Sequence, residues 1–225
     1  KDNPRISYIH SLNLGYGSGH NIAIKKSIEN GAEYHVVLNP DIYWTDEVIE
    51  KLKCFMDDTT DCGLVMPKIT YPNGDTQYLC KLLPTPIDLI IRRFIPISSY
   101  QKSHDNLYEL QWTGYDKVME IPSLSGCFMF IRCSILKKTG GFDERYFMYA
   151  EDLDLCRRIG EVSRTMFFPK VSVVHEYEKG SYKNKKLLKY HLTSIVKYFN
   201  KWGWFIDPKR RNKNNYCVSL IKSNI

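Results

Sequence analysis

The sequence of 225 residues contains no Cys-x-x-Cys pair, although it has seven cysteines. A disulfide framework or a thiolate zinc site would require closer spacing, so we expect reduced thiols in a cytosolic compartment. Long apolar runs are missing as well, because no stretch approaches the ~18 residues of a membrane span. The best candidate, residues 87–97, is interrupted by two arginines, an aspartate and a proline. The sequence therefore indicates neither a disulfide-rich secreted module nor a membrane-spanning helix.

A signal-peptide pattern and an initiator methionine are also missing at the start. The first residues, Lys1-Asp2-Asn3-Pro4, resemble the interior of a chain. We therefore expect the native protein to begin earlier.

The composition is that of a globular protein, with 43% hydrophobic and 25% charged residues. These values exclude a disordered chain, a collagen and a coiled coil. The length suits one large α/β domain, or one domain with a helical tail. The net charge is +7, and residues 179–213 contain eleven Lys or Arg against one acid, Asp207. Such a block indicates either a polyanionic partner, such as anionic lipid, a phosphorylated substrate or nucleic acid, or a merely solvated helix face.

Hydrophobic periodicity predicts strands that alternate with helices in the first half and mixed strands afterwards, which is typical of an α/β layered domain. The predicted strands are residues 6–10, 34–38, 63–66, 118–121, 126–132, 165–168 and 171–175. The predicted helices are residues 21–30, 45–56, 134–139, 151–159 and 187–202, with a short helix around 87–94 in an otherwise irregular stretch from 85 to 111.

The first candidate for chemistry is Asn39-Pro40-Asp41, which follows a predicted buried strand. In open α/β sheets ligands bind at the carboxyl ends of the strands, so Asp41 could hold a hard cation through carboxylate oxygen. The alternative is a simple turn.

The second candidate is the start of the helix at residues 151–159. Helical spacing places Glu151 and Asp152 beside its buried face, at the amino terminus, where free N–H groups stabilise carboxylates as anions. Asp154 points away, towards Arg158, so Asp152-Leu153-Asp154 is not a metal-binding Asp-x-Asp motif. The alternative interpretation is a pair of helix-capping acids.

The third candidate is His175, at the end of a predicted strand. A lone histidine is more often structural than a ligand, so this residue gains weight only in combination with the other two.

Together these segments resemble the family-2 glycosyltransferases of the rhamnosyltransferase-like branch. The matching segments are Asn13-Leu14-Gly15-Tyr16-Gly17 with Asn21, Val37-Leu38-Asn39-Pro40-Asp41, residues 125–132, residues 140–155, and Val173-Val174-His175 with Ser181. The resemblance covers residues 13–181, whereas the loop at 85–119 has no match and is expected to face the acceptor.

The resemblance implies a GT-A nucleotide-sugar fold, with a mixed central sheet flanked by helices, and transfer of a sugar with inversion. Asp41 would coordinate Mg²⁺ or Mn²⁺ at the diphosphate of a nucleoside-diphosphate sugar, and His175 would be a further metal or diphosphate ligand. Asp152 would be the catalytic base, with Glu151 either supporting it or holding the acceptor. Asn39, which replaces the first Asp of the usual motif, would hydrogen-bond the ribose or the donor sugar. Gly15, Gly17 and Asn21 would lie near the nucleotide.

The resemblance also implies two domains: a catalytic domain at 1–181 that lacks its first strand and helix, and a basic helical extension at 182–225. If those amino-terminal elements are absent, the chain folds incompletely and is inactive. A lipid-linked or other saccharide would be the acceptor. As a hypothesis, the basic helix lies on the inner face of an anionic membrane, so the protein would be cytoplasmic and peripheral.

Two alternatives to this enzyme remain open. A sugar-nucleotide pyrophosphorylase would be expected to carry a Gly-rich Lys/Arg signature near its amino terminus, which is not seen. A non-catalytic module could bind a sugar nucleotide, or nucleic acid through aromatic residues of the basic tail. Helical spacing of Ile195, Val196 and Phe199 favours packing of that tail on a core or a membrane over contact with nucleic acid.

Overall fold

The computed structural model describes residue 3 and residues 5–45, 47–89, 98–176 and 185–223, without the side chains of 98–101. The described strands are β1 (Tyr34–Leu38), β2 (Ile42–Tyr43), β3 (Cys62–Thr70), β4 (Met119–Glu120), β5 (Phe128–Arg132) and β6 (Arg164–His175). The described helices are α1 (Tyr16–Glu29), α2 (Val48–Asp58), α3 (Ser98–Tyr108), α4 (Cys133–Thr139), α5 (Glu151–Ile159), α6 (Lys185–Trp202) and α7 (Pro208–Ser223).

The strands form one mixed sheet in the order β1-β5-β3-β6-β2, with β4 also paired to β6. The β3–β6 pair is parallel and the other pairs are antiparallel. Strands β3 and β5 are apolar almost throughout and are buried on both faces, as expected for central strands covered by helices. The predicted α/β class with a mixed central sheet is confirmed.

Strand β6 runs continuously through Pro169, where two separate strands were predicted. Proline cannot donate to the ladder, and the pairing with β3 shifts there, from Pro67 opposite Phe168 to Lys68 opposite Ser172. The bulge lets the strand continue to its last residue, His175.

Three other predictions differ from the structure. Residues 6–10 alternate like a strand, but they are exposed and unpaired in the described chain, because alternation forms a strand only where a neighbouring strand accepts its hydrogen bonds. Helix α3 was not predicted, and α7 was not placed as a separate helix within the predicted helical extension, because their polar sequences lack a clear apolar stripe. Of the short helix predicted at 87–94, residues 87–89 are helical and the others lie outside the described residues.

The two C-terminal helices pack on the rest of the protein. Tyr198 and Phe199 of α6 form a buried cluster with Tyr146, and Cys217 and Ile221 of α7 join the main core. The domain boundary at residue 181 stays a prediction, since 177–184, including Ser181, lie outside the described residues. Among the helices that are described, none is long and apolar enough to cross a membrane.

Candidate active site

Sheet pairing brings Asp41 and His175 together across 134 positions of sequence. Asp41 lies in the tight turn between β1 and β2, and Ile42, the next residue, pairs directly with His175 of β6. The backbone N–H of Glu176 donates to the Asp41 carbonyl oxygen at 3.0 Å. Two of the candidates identified separately in the sequence therefore share one edge of the sheet.

The buried side chain of Gln77 orients the His175 ring. Its amide nitrogen donates to the carbonyl oxygens of Thr70, at 3.3 Å, and His175, at 2.8 Å. The Gln77 amide oxygen must then accept a hydrogen bond from His175 Nδ1, which lies 3.0 Å away. Nδ1 therefore carries the proton of the neutral ring, and Nε2 presents its lone pair towards Asp41.

Asp41 Oδ1 lies 3.4 Å from His175 Nε2. This oxygen is buried and accepts no hydrogen bond from any donor in the described part of the chain. Burial lowers the pKa of His175, an effect that the charge of Asp41 opposes in part, which favours the neutral imidazole. An anionic oxygen and a nitrogen lone pair that face each other in this way suit a divalent cation.

The Asp152 carboxylate lies at the first turn of α5, against the loop before β5. Its Oδ2 accepts a hydrogen bond from the Gly126 backbone N–H at 2.9 Å, and its Oδ1 accepts one from Leu153 N–H at 2.8 Å. A Cβ atom at Gly126 would be 3.0 Å from Asp152 Cβ, so glycine there permits the close approach. These contacts fix the carboxylate and leave it partly exposed.

Tyr16 connects the two halves of the site. Its hydroxyl lies 2.7 Å from the Gly126 carbonyl oxygen and 3.1 Å from Asn39 Oδ1, and Asn39 Nδ2 lies 3.5 Å from His175 Nε2. Burial, followed by the charges of Asp152, Glu151 and Asp41, holds the pKa of Tyr16 far above its ordinary value. The base candidate and the cation candidates therefore border one region around this hydroxyl.

Asp154 is used elsewhere, as the helical spacing predicts. Its fully buried carboxylate pairs with Arg158 Nε at 2.8 Å and Lys201 Nζ at 2.6 Å, and it accepts the Trp202 indole N–H at 2.8 Å. Asp154 is thus structural. Of the two aspartates at the start of α5, Asp152 is the one whose carboxylate remains available for chemistry.

The expectation that Glu151 stays ionised is wrong. Burial, followed by the charge of Asp152, raises the pKa of Glu151 from 4.5 to about 8. Its Oε2 is buried and has no partner in the described part of the chain. The side chain points into the protein, so the cost of removing its charge from water exceeds the stabilisation that the start of the helix provides.

We expect this neutral carboxyl to make stability pH-dependent. Between about pH 4.5 and about pH 8 the folded protein keeps a proton that the unfolded chain has released, so the free energy of unfolding falls as the pH rises. Glu151→Gln, which cannot ionise, should flatten this dependence and should be more stable than the original protein above pH 8. Urea unfolding at a series of pH values measures the pH dependence of the free energy of unfolding. The control is Glu50→Gln, at an exposed residue. Parallel curves for both variants and the original protein would contradict the assignment.

The turn before α5 is strained and is braced by α6. Tyr149 and Ala150 both have positive φ, at 70° and 65°, which is unfavourable for residues with a Cβ atom. The Ser194 hydroxyl donates to the Met148 carbonyl oxygen at 2.8 Å, and the His191 ring meets the Tyr149 ring edge to face at 5.1 Å. Helix α6, which contributes none of the predicted site residues, therefore positions the segment that leads into Asp152.

Gly15, Gly17 and Asn21 have evident structural roles. A Cβ at Gly15, whose φ is 106°, would lie 2.2 Å from the Phe147 carbonyl oxygen, and one at Gly17 would lie 2.7 Å from Phe142 Cβ. The Asn21 amide makes hydrogen bonds of 2.8–2.9 Å to both backbone polar groups of Phe142. These three residues bind α1 to the loop before Asp152, and contact with a nucleotide remains a prediction for them.

Four contributors to this site were not identified from the sequence. Tyr16 and Gly126 lie within the quoted motifs, but no local pattern shows that they meet. Gln77 and Ser194 lie in unremarkable polar stretches, and their roles depend on carbonyl groups 98 and 46 residues away.

Comparison with known proteins shows which sequences and which fold this chain is similar to. No protein-family model matches the chain. It is 27% identical over 220 residues to an N-acetylglucosaminyl-diphospho-decaprenol L-rhamnosyltransferase of Mycobacterium tuberculosis, an alignment that covers 88% of this chain and 68% of the relative. It is 25% identical over 201 residues to the rhamnosyltransferase WbbL of Escherichia coli, covering 86% and 73%. A hexosyltransferase of Haloferax volcanii, Agl10, is 27% identical over 68% of this chain and 46% of its own length.

The crystal structure of S. aureus TarS matches with a TM-score of 0.50 and 14% identity, over 92% of this chain and 31% of TarS. This likeness concerns the fold alone, and the chain spans about a third of that protein. The fold agrees with the motif order and with the named relatives. By sequence the chain is therefore similar to rhamnosyltransferases and a hexosyltransferase, and its fold is that of the GT-A glycosyltransferases.

Proposed function

We propose that the protein transfers a sugar, with inversion, from a nucleoside-diphosphate donor to a hydroxyl of a saccharide or lipid-linked saccharide. The observation that carries this proposal is the connection of Asp152 through Gly126, Tyr16 and Asn39 to His175, beside Asp41. A base and a cation site that border one region are the two groups that such a displacement needs.

Asp41 and His175 would hold Mg²⁺ or Mn²⁺ at the donor diphosphate. The orphaned Asp41 oxygen and the lone pair of the oriented imidazole support this assignment. When bound, the cation would offset the negative charge that develops on the leaving diphosphate. Among the described residues no group of three or more Asp, Glu, His or Cys side chains is placed to hold a metal ion. The remaining ligands of the cation would then be phosphate oxygens and water.

Asp152 would take the proton of the acceptor hydroxyl. Its oxygens are held by two backbone N–H groups, so the carboxylate is positioned before the acceptor arrives. Neutral Glu151 beside it would avoid a second negative charge next to the base. Asn39 would contact the ribose or the donor sugar, while Gly15, Gly17 and Asn21 would shape the backbone on the nucleotide side.

The acceptor would be lipid-linked. The name of the Mycobacterium tuberculosis relative specifies a decaprenol diphosphate carrying N-acetylglucosamine. Lipid-linked substrates lie at membrane surfaces, and the basic C-terminal region suits an anionic one. We therefore place the protein at the cytoplasmic face of a membrane, as a peripheral enzyme.

Thermal shift of the full-length protein against UDP-, dTDP- and GDP-sugars, with and without Mn²⁺, tests the proposal. We expect one donor class to raise the melting temperature in a Mn²⁺-dependent way and to be hydrolysed slowly when no acceptor is present. No stabilisation by any donor, together with a salt-sensitive gel shift of single-stranded DNA, would favour a nucleic-acid binding module instead.

A further inference from the structure

The turn between α6 and α7 presents large apolar side chains to solvent. Phe205 is 75% exposed, Ile206 is 88% exposed and Trp204 is 37% exposed. Three consecutive apolar residues in the turn between two helices make an apolar surface that the described part of the chain leaves uncovered. We call residues 204–206 the apolar tip.

The apolar tip is held rigidly. The buried Arg210 guanidinium donates to the carbonyl oxygens of Gly203, Trp204 and Phe205, at 3.2–3.5 Å, and to that of Pro84 at 3.3 Å. Gly203 has a φ of 100°, and a Cβ there would lie 2.8 Å from the Ile206 carbonyl oxygen. A buried arginine thus shapes a turn whose side chains point outwards, so the tip is organised before it meets a partner.

The tip is continuous with the outer face of α6. The Trp204 indole N–H donates to Asn200 Oδ1 at 2.9 Å. Helical spacing of three and four places Asn200 on the same face as Val196 and Leu192, which are 45% and 40% exposed, and as Lys189. The inner face of α6 is different, because Tyr198 and Phe199 are fully buried in the protein. The earlier hypothesis assigned Phe199 to a core or to a membrane, and the structure places it in the core.

The charge around this surface has one sign. Residues 185–223 contain ten Lys or Arg and a single acid, Asp207. Asp207 is buried and pairs with Arg157 at 2.7 Å, so it adds no exposed negative charge. The exposed lysines and arginine of this stretch are Lys185, Lys186, Lys189, Lys197, Lys209, Arg211 and Lys222.

We infer that the apolar tip inserts into the interfacial layer of an anionic lipid bilayer, while the outer face of α6 lies along the head groups. Tryptophan favours the membrane interface, Phe205 and Ile206 gain by leaving water, and the lysines are attracted to anionic lipid. This inference rests on the proposed function insofar as a lipid-linked acceptor brings the enzyme to a membrane. Because α6 also braces the turn before Asp152, docking would fix the helix that supports the base.

Vesicle binding of the protein tests the tip directly. We expect binding to vesicles of phosphatidylglycerol and phosphatidylcholine, weak binding to phosphatidylcholine alone, and quenching of Trp204 fluorescence by lipids brominated near the head of the acyl chain. Trp204→Phe should remove that quenching. The double variant Phe205→Ser/Ile206→Ser should bind about tenfold more weakly or worse, because two large side chains no longer leave water. Val162→Ser, at a residue 53% exposed in the turn after α5, is the matched control and should bind as the original protein does.

Several results would overturn the inference. Unchanged vesicle binding by the double variant, equal binding to neutral vesicles, or absence of Trp204 quenching would each do so. A concentration-dependent dimer in sedimentation that the double variant abolishes would also do so, since a second copy of the chain would then cover the tip. Donor hydrolysis in solution requires no vesicles, so failure of the proposed function would appear in that assay, and failure of the docking surface would not.

Discussion

Asp152→Asn should reduce sugar transfer by about 10²- to 10⁴-fold, the usual contribution of a general base. Asparagine keeps the size of the side chain and an oxygen that can accept the hydrogen bond from the Gly126 N–H, which Asp152 Oδ2 accepts at 2.9 Å in the original protein. It cannot take a proton at neutral pH. Donor affinity and Mn²⁺ affinity should remain nearly unchanged, because the substituted group faces the acceptor. Steady-state transfer and calorimetric titration of the donor measure the two effects separately.

The same helix offers a contrast for this experiment. Asp154→Asn removes a charge two residues away, where the buried carboxylate pairs with Arg158 and Lys201. It should lower the free energy of unfolding by about 3–5 kcal/mol, since it removes a fully buried carboxylate that pairs with two partly buried cations. Asp152→Asn should leave stability close to that of the original protein. Undiminished turnover in the Asp152→Asn protein would exclude Asp152 as the base.

Asp41→Ala should weaken both Mn²⁺ and donor binding by about 10- to 100-fold or more, and transfer should fall with them. The reason is that Asp41 supplies the anionic oxygen that faces His175 Nε2 at 3.4 Å. Isothermal titration with Mn²⁺, in the absence of donor, gives a readout that is independent of activity.

Stability separates this effect from unfolding. The Asp41 Oδ1 atom is buried and accepts no hydrogen bond within the described residues, so its removal costs no such bond and should leave the free energy of unfolding unchanged or raise it. Asp58→Ala, which removes an exposed carboxylate at the end of α2, is the control and should bind Mn²⁺ normally. Full Mn²⁺ affinity in Asp41→Ala would rule out Asp41 as a ligand.

Local patterns were sufficient where an element is stabilised by its own sequence. The strand at 34–38 and the helix at 151–159 were predicted with the observed bounds, because each has a clear period and definite ends. The direction of Asp154 towards Arg158 also followed from helical spacing. The bounds of helix α7 and the continuity of strand β6 were missed, since tertiary packing stabilises the first and a bulge at Pro169 permits the second.

Burial had the largest effect on the chemistry of the site. The sequence places Glu151 beside Asp152 at a helix start, which favours two anions, whereas the fold directs Glu151 inwards and raises its pKa to about 8. The orientation of His175 likewise depends on Gln77, which lies 98 positions away in the sequence. No window of sequence contains these relations, because they arise between segments that meet only in the folded chain.

The sequence by itself determined the α/β class, the family resemblance, and the choice of Asp41, Asp152 and His175 as candidates. These depend only on residue type and on the local spacing of apolar residues. The tertiary structure decided which of these residues meet, through the register of β2 on β6 and the hydroxyl of Tyr16. It also decided that the inner face of α6 is core, and that the exposed apolar surface lies at residues 204–206. The physical reason is that charge, burial and hydrogen-bond geometry depend on distances in space, which sequence spacing does not specify beyond a single helix or strand.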